Sequence, residues 1–135
     1  MSSPVSDLAV LLRTMESVLH EGVYVYSVVP SDTDLSSIPA IATFREAEGT
    51  TVITSEAEAL NANLPVLFRA AWITLKVHSD LQAVGLTAAF SRALSEAGIS
   101  CNVVAAAYHD HIFVPIERAT ESIEQLKALQ QAASS

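Results

Sequence analysis

From Asp7 to Leu19 the apolar residues fall at Leu8, Leu11, Leu12, Met15, Val18 and Leu19. Steps of three and four predict a helix with one buried face, and Gly22 follows as a stop. The stretch GVYVYSVVP (22–30) is dominated by β-branched and aromatic residues and ends at Pro30, which predicts a strand. SDTDLSS (31–37) reads as a polar loop, and IPAIATFRE (38–46) and TTVIT (50–54) as two strands turning at Glu48-Gly49. Ser55 and Glu58 have the spacing of a capping box, opening a short helix through Leu60. LFRAAWITLKV (67–77) is a long strand candidate. Past the loop HSDLQAVG (78–85), Leu86, Phe90, Ala93, Leu94 and Ala97 line one face of a second helix, which Gly98 ends. ISCNVVAAAY (99–108) and HIFVP (111–115) predict two strands parted only by His109-Asp110. IERATESIEQLKAL (116–129) closes the pattern as a helix with Ala119, Ile123 and Leu126 inward and Glu117 at its positive end.

The order of elements repeats. Helix, glycine and β-rich strand occur at Leu8–Val25 and again at Leu86–Val104, with Gly22 and Gly98 76 positions apart. Strand and acidic helix start occur in TVITSEAEA and in IFVPIERAT, with Val52 and Phe113 61 positions apart. The difference, about fifteen residues, is the size of a connection rather than of a domain. The chain therefore reads as a degenerate tandem repeat in the α+β class, with halves at 1–65 and 66–135. Each half is a split β-α-β sandwich with an antiparallel sheet and its helices on one face.

Composition narrows the partners. Of 135 residues 50% are hydrophobic, so a sizeable core is available, and the net charge of −8 repels phosphate backbones and anionic lipid. With no basic run, nucleic acid is excluded as an expected partner, while a small zwitterion with a cationic end is compatible. Arg69 and Lys76 interrupt the longest apolar candidate and MSSPVSDLAVLL carries no secretion signal, so the expectation is a cytoplasmic protein away from membranes. Cys101 is the single cysteine, which rules out an internal disulfide, and its apolar neighbours predict a buried thiol.

The residue types that carry chemistry are few. Tyr108-His109-Asp110-His111 places two imidazoles on one face if it is strand, and His78 with Asp80 could complete a metal set. The bland alternative is a hairpin tip, since Asp tolerates turn geometry, and no HExxH pattern supports a metal. Ser79, His109 and Asp110 form a catalytic triad only on paper, without a nucleophile elbow. Four glycines include no phosphate-cradling loop, so no cofactor is expected. Tyr24 and Tyr26 alternate with Val23 and Val25 and face a second surface or an interface; Trp72 is read as core. In HSDLQAVGLTAAF a helix begins at Gly85-Leu86, where unpartnered backbone N–H groups could take a carboxylate. Equally, Gly85 could serve only close helix packing.

Strand, loop, Gly85-Leu86, amphipathic helix, then Ala97-Gly98-Ile99-Ser100 and YHDHIFVP together resemble ACT domains. Residues 72–115 look like the small bacterial proteins that carry two ACT domains in tandem. The resemblance implies a ferredoxin-like β-α-β-β-α-β sandwich that pairs side by side as a homodimer. It implies an amino acid at the seam, held by the loop between first strand and first helix. Carried across, that loop is Val84, Gly85 and Leu86, with Asn102 meeting the ligand's ammonium and His78, His109, Asp110 and His111 as pocket rim. The implied function is a regulatory or sensor module without catalysis; an interaction module that has lost its ligand is the alternative. A histidine-driven metalloenzyme is the third reading.

Overall fold

The computed structural model describes residues 7–77 and 85–134. Contacts divide the chain into two compact units: residues 21–71, and residues 1–20 together with 72–135. One strand, β5 (Phe68–Lys76), contributes to both.

The unit spanning 21–71 holds β2 (Tyr24–Val29), β3 (Ala42–Arg45), β4 (Thr50–Ser55), α2 (Glu56–Asn61) and the start of β5. Its strands lie in the order β3-β4-β2-β5, all antiparallel. Alternation along β2 sends Val25, Ser27 and Val29 to one buried side and Tyr24 and Tyr26 to the other. Ser55 caps α2 by accepting from the Glu58 amide at 3.2 Å, as the capping-box spacing predicts. This is a ferredoxin-like half in which residues 30–41 stand where the first helix would run, tied down by Thr54 donating to the Pro39 carbonyl at 2.9 Å.

The second unit holds α1 (Leu8–Thr14), β1 (Glu16–Leu19), the end of β5, α3 (Leu86–Glu96), β6 (Asn102–Ala105), β7 (Asp110–Pro115), a 3-10 turn (Ile116–Arg118) and α4 (Ala119–Ser134). Its strand order is β1-β5-β7-β6. From β5 onward the elements follow the β-α-β-β-α sequence of a ferredoxin-like sandwich, and the closing fourth strand is β1, from the start of the chain. The core consists of Leu11, Leu12 and Met15 with Ile73, Leu75, Phe90, Leu94, Ile112, Val114 and Leu126, nearly all without exposure.

Several expected elements shift. The helix expected over 7–19 ends at Thr14: Asp7 caps it by accepting from the Val10 amide, and Met15 is already extended at φ −64°, ψ 131°. Val18 and Leu19, in step with the helical period, instead pair with Thr74 and Ile73. A four-residue strand is too short to display alternation, so the neighbouring helical period swallowed it. The β6–β7 hairpin is looser than expected. Ala106–His109 form its turn, closed by the Ala106 amide donating to the His109 carbonyl at 3.1 Å, and Tyr108 at its tip is 83% exposed.

Candidate functional site

The unit containing α3 carries its chemistry on two surfaces. The first is the start of α3. Gly85 is its N-cap with φ +103°, in the left-handed region, and offers no side-chain cap to the first turn. The amides of that turn have no intrahelical partner, and the helix dipole makes this a place for negative charge. A Cβ on Gly85 would lie 3.3 Å from Leu8 Cδ2, so close packing against α1 is a second reason for glycine.

Arg118, which the sequence pattern gave no reason to single out, fixes the other end of α3. Its Nη2 donates to the Ala97 carbonyl at 3.0 Å and its Nη1 to Gly98 at 3.4 Å, while Nε donates to Glu121 at 2.8 Å. Because Arg118 directly follows β7, the C-terminus of α3 lies beyond the far end of that strand. The start of α3 therefore lies at the end of the unit where β5 finishes and the β6–β7 hairpin turns.

Asn102 does not share that end. It opens β6 opposite Phe113, and its Nδ2 donates to the Phe113 carbonyl at 3.4 Å. The eleven residues of α3 make a helix about 16 Å long at 1.5 Å per residue. A small zwitterion at Gly85 and Leu86 does not reach Asn102 of the same unit. Val84 and His78 lie outside the described residues, as do Ser79 and Asp80.

His109 lines a cleft of about 520 Å³ with Thr14, Lys76, Val77 and Tyr108, at the hairpin end of the unit. Its Nδ1 is buried and has no hydrogen-bond partner among the described residues. Asp110, next in sequence, is half-buried, and burial pushes its carboxyl up from the usual aspartate value. Among the described residues no three His, Cys, Asp or Glu side chains gather as a metal set.

The second surface is the sheet face carrying His111. Trp72 Nε1 donates to His111 Nδ1 at 3.1 Å, and Thr74 Oγ1 lies 3.0 Å from the same nitrogen. Thr74 Oγ1 is also 2.7 Å from His20 Nε2. The His20 ring stacks on Trp72 with centroids 3.6 Å apart and planes 9° from parallel, and Phe113 stacks at 6.2 Å from the other strand. Trp72, read from the sequence as core, is half-buried in this cluster, and His20 drew no attention in the pattern at all. Fifty-four residues separate His20 from Thr74, and only the β1–β5 pairing unites them.

Donor chemistry fixes the protons. An indole N–H can only donate, so His111 Nδ1 is an acceptor and the neutral ring carries its proton on Nε2. Thr74 then gives its single hydroxyl proton to that same Nδ1 in a three-centre arrangement, and its oxygen accepts from His20 Nε2–H. Burial, with the charge of neighbouring imidazole, holds both histidines below the ordinary 6.5. For His20 the secondary contributions come from His111 and Lys76; for His111 from His109, with Asp110 opposing.

Two family models, both described as ACT domain, match the chain, one over residues 3–71 and the other over 68–128. A protein of unknown function from Vibrio cholerae, described as a possible transport protein, is 43% identical over 95% of this chain and 99% of its own, with a TM-score of 0.83. Escherichia coli aspartokinase III, solved with aspartate and ADP, superposes at a TM-score of 0.63 with 11% identity, covering 88% of this chain and 33% of the kinase. The regulatory subunit of aspartate kinase from Thermus flavus superposes at 0.62 with 8% identity, over 84% of this chain and 95% of that one. Among curated proteins none matches the sequence.

Proposed function

The chain belongs to the ACT domain family, and from that premise we propose that it is a regulatory module that binds an amino acid or similar zwitterion and performs no catalysis. The observation that carries the reading is the start of α3, where left-handed Gly85 supplies no side-chain cap to the first-turn amides. A ligand carboxylate at Gly85 and Leu86 would take those donors, with Val84 completing the loop. Asn102, at the opposite end of its unit, would meet the ammonium of a ligand held by a second copy, which makes a homodimer the working assembly. His78, His109, Asp110 and His111 would form the rim. Two ACT-like halves, residues 1–65 and 66–135, in a cytoplasmic protein complete the proposal. Support for regulation comes from the folds of aspartate kinase regulatory regions, one solved with aspartate bound to its enzyme. Ligand would act by favouring the packing that binds it better.

A thermal-shift panel of the twenty amino acids tests this on wild type and on Thr87→Glu. Thr87 is exposed in the first turn of α3, so the new carboxylate suits the helix dipole yet repels a ligand carboxylate. Ligand at a hundredfold its Kd stabilises by about 2.7 kcal/mol, roughly 8 °C in a chain this size. One amino acid should give such a rise in wild type, and Thr87→Glu should abolish it. A flat panel would sink the ligand. The packing of Leu8 against Gly85 favours a second reading in that event, an interaction module in which the glycine serves only the helix contact.

A further inference from the structure

We propose that His20, Thr74, Trp72 and His111 form a proton-ordered latch that holds strand β1 against β5 and loosens when His111 takes a proton at Nδ1.

β1 needs such a device. It is four residues long, pairs among the described residues with β5 alone, and its last residue Leu19 is 44% exposed. Backbone pairing runs from Glu16 opposite Lys76 to Leu19 opposite Ile73, and the His20 amide adds a bond to the Trp72 carbonyl at 2.9 Å. Side chains then tie three strands together: His20 beyond β1, Thr74 and Trp72 of β5, His111 of β7.

The chain of bonds has one direction. Trp72 supplies a donor that cannot reverse, so His111 Nδ1 must accept, Thr74 must donate to it, and His20 must donate to Thr74. The two histidines differ in what a proton does to this order. Protonating His20 adds a proton at Nδ1 and leaves its Nε2–H bond to Thr74 in place, with the cation stacked on the indole face. Protonating His111 at Nδ1 removes the lone pair that accepts both bonds and sets the Trp72 and His111 N–H groups against each other, while the Thr74 hydroxyl must turn to accept from His111. Trp72 then loses its acceptor at His111, and the Thr74 oxygen is shared between two imidazole donors, which weakens its hold on His20. His111 is the trigger and His20 is the strap.

Among the described residues the charged groups that act on the trigger are His109 and Asp110 on its own strand and hairpin and His20 beyond β1; Lys76 on β5, opposite Glu16 on β1, acts on His20. No charged residue comes from β6, which places Val104 opposite His111. Asp110 draws the proton on; His109 and His20, when charged, oppose it.

The test uses the wild-type chain. Nitrogen-15 NMR of the imidazoles reports tautomer and titration, hydrogen exchange of the Val18 and His20 amides, which face β5, reports β1, and fluorescence reports Trp72, the single tryptophan. The expected result has four parts: a neutral Nε2–H tautomer for His111, a midpoint below 6.5, a fluorescence change at that midpoint, and a roughly tenfold loss of β1 protection across it. Thr74→Val, which keeps shape and removes the hydroxyl, should already show that loss at neutral pH; if it does not fold, the wild-type titration decides alone. An Nδ1–H tautomer for His111, or β1 protection unchanged through its titration, would overturn the latch.

Discussion

Replacing Gly85 by alanine measures how much of the α3 start depends on backbone geometry. An alanine at φ +103° occupies the left-handed side of the map, at a cost of about 1–2 kcal/mol. Lower freedom of the unfolded chain returns about 0.4–1 kcal/mol. The new Cβ also sits 3.3 Å from Leu8 Cδ2, but Leu8 is 37% exposed and can rotate, so the contact adds little. The net expectation is a loss of about 1 kcal/mol, which lowers a urea midpoint by about 0.5 M at a slope near 2 kcal/mol per molar. Gly98→Ala supplies the control: its φ is +75° and nothing lies within 4 Å of the added Cβ, so it carries the backbone cost alone. Equilibrium urea unfolding of wild type and both variants, with Leu8→Ala added to Gly85→Ala, separates the two causes. If Gly85→Ala matches or exceeds wild-type stability, the left-handed requirement at the α3 start is refuted. If Leu8→Ala restores it fully, the glycine serves packing and not backbone geometry.

Other consequences can be checked directly. Phe90 is fully buried on α3, so Phe90→Ala should cost about 3–5 kcal/mol by denaturant unfolding; a loss under 1 kcal/mol would deny it a place in the core. Burial pushes the Cys101 thiol up to about 11, so iodoacetamide should react slowly at neutral pH, with a rate climbing about tenfold per unit toward that value. A plateau near 8.5 would contradict it. Because His20 and His111 are held below 6.5, the folded chain binds their protons less readily than the unfolded one. Their contribution is complete above 6.5 and drains away as the pH falls through their folded values. Glu56 and Glu121, held low by Arg69 and Arg118, add the same sign below 4.5, and Asp110, raised from 3.8, works the opposite way above that value. Unfolding midpoints measured from pH 7.5 to 5 should therefore fall on acidification; a rise over that interval would refute the sign.

Elements whose cause is local are legible in the residues alone. Ser55 and Glu58 sit where a capping box needs them, Leu86, Phe90 and Leu94 recur at helical steps, and Tyr24 and Tyr26 alternate with Val25. Gly85-Leu86 was legible as a helix start because the apolar helical period begins there, and the split β-α-β class followed from element order. Tertiary structure decided what depends on distant pairing. The helical period runs on through Val18 and Leu19, and only the partner strand β5 turns them into β1. That strand joins the unit holding the other end of the chain, a choice no local pattern encodes. His20, Trp72, Thr74 and His111 span ninety residues and meet because register sets them on one face. Arg118 finds the carbonyls of α3 because β7 delivers it there. Periodicity reports which side of an element is buried, whereas hydrogen-bond partners across a sheet are fixed only when strand order and register are fixed.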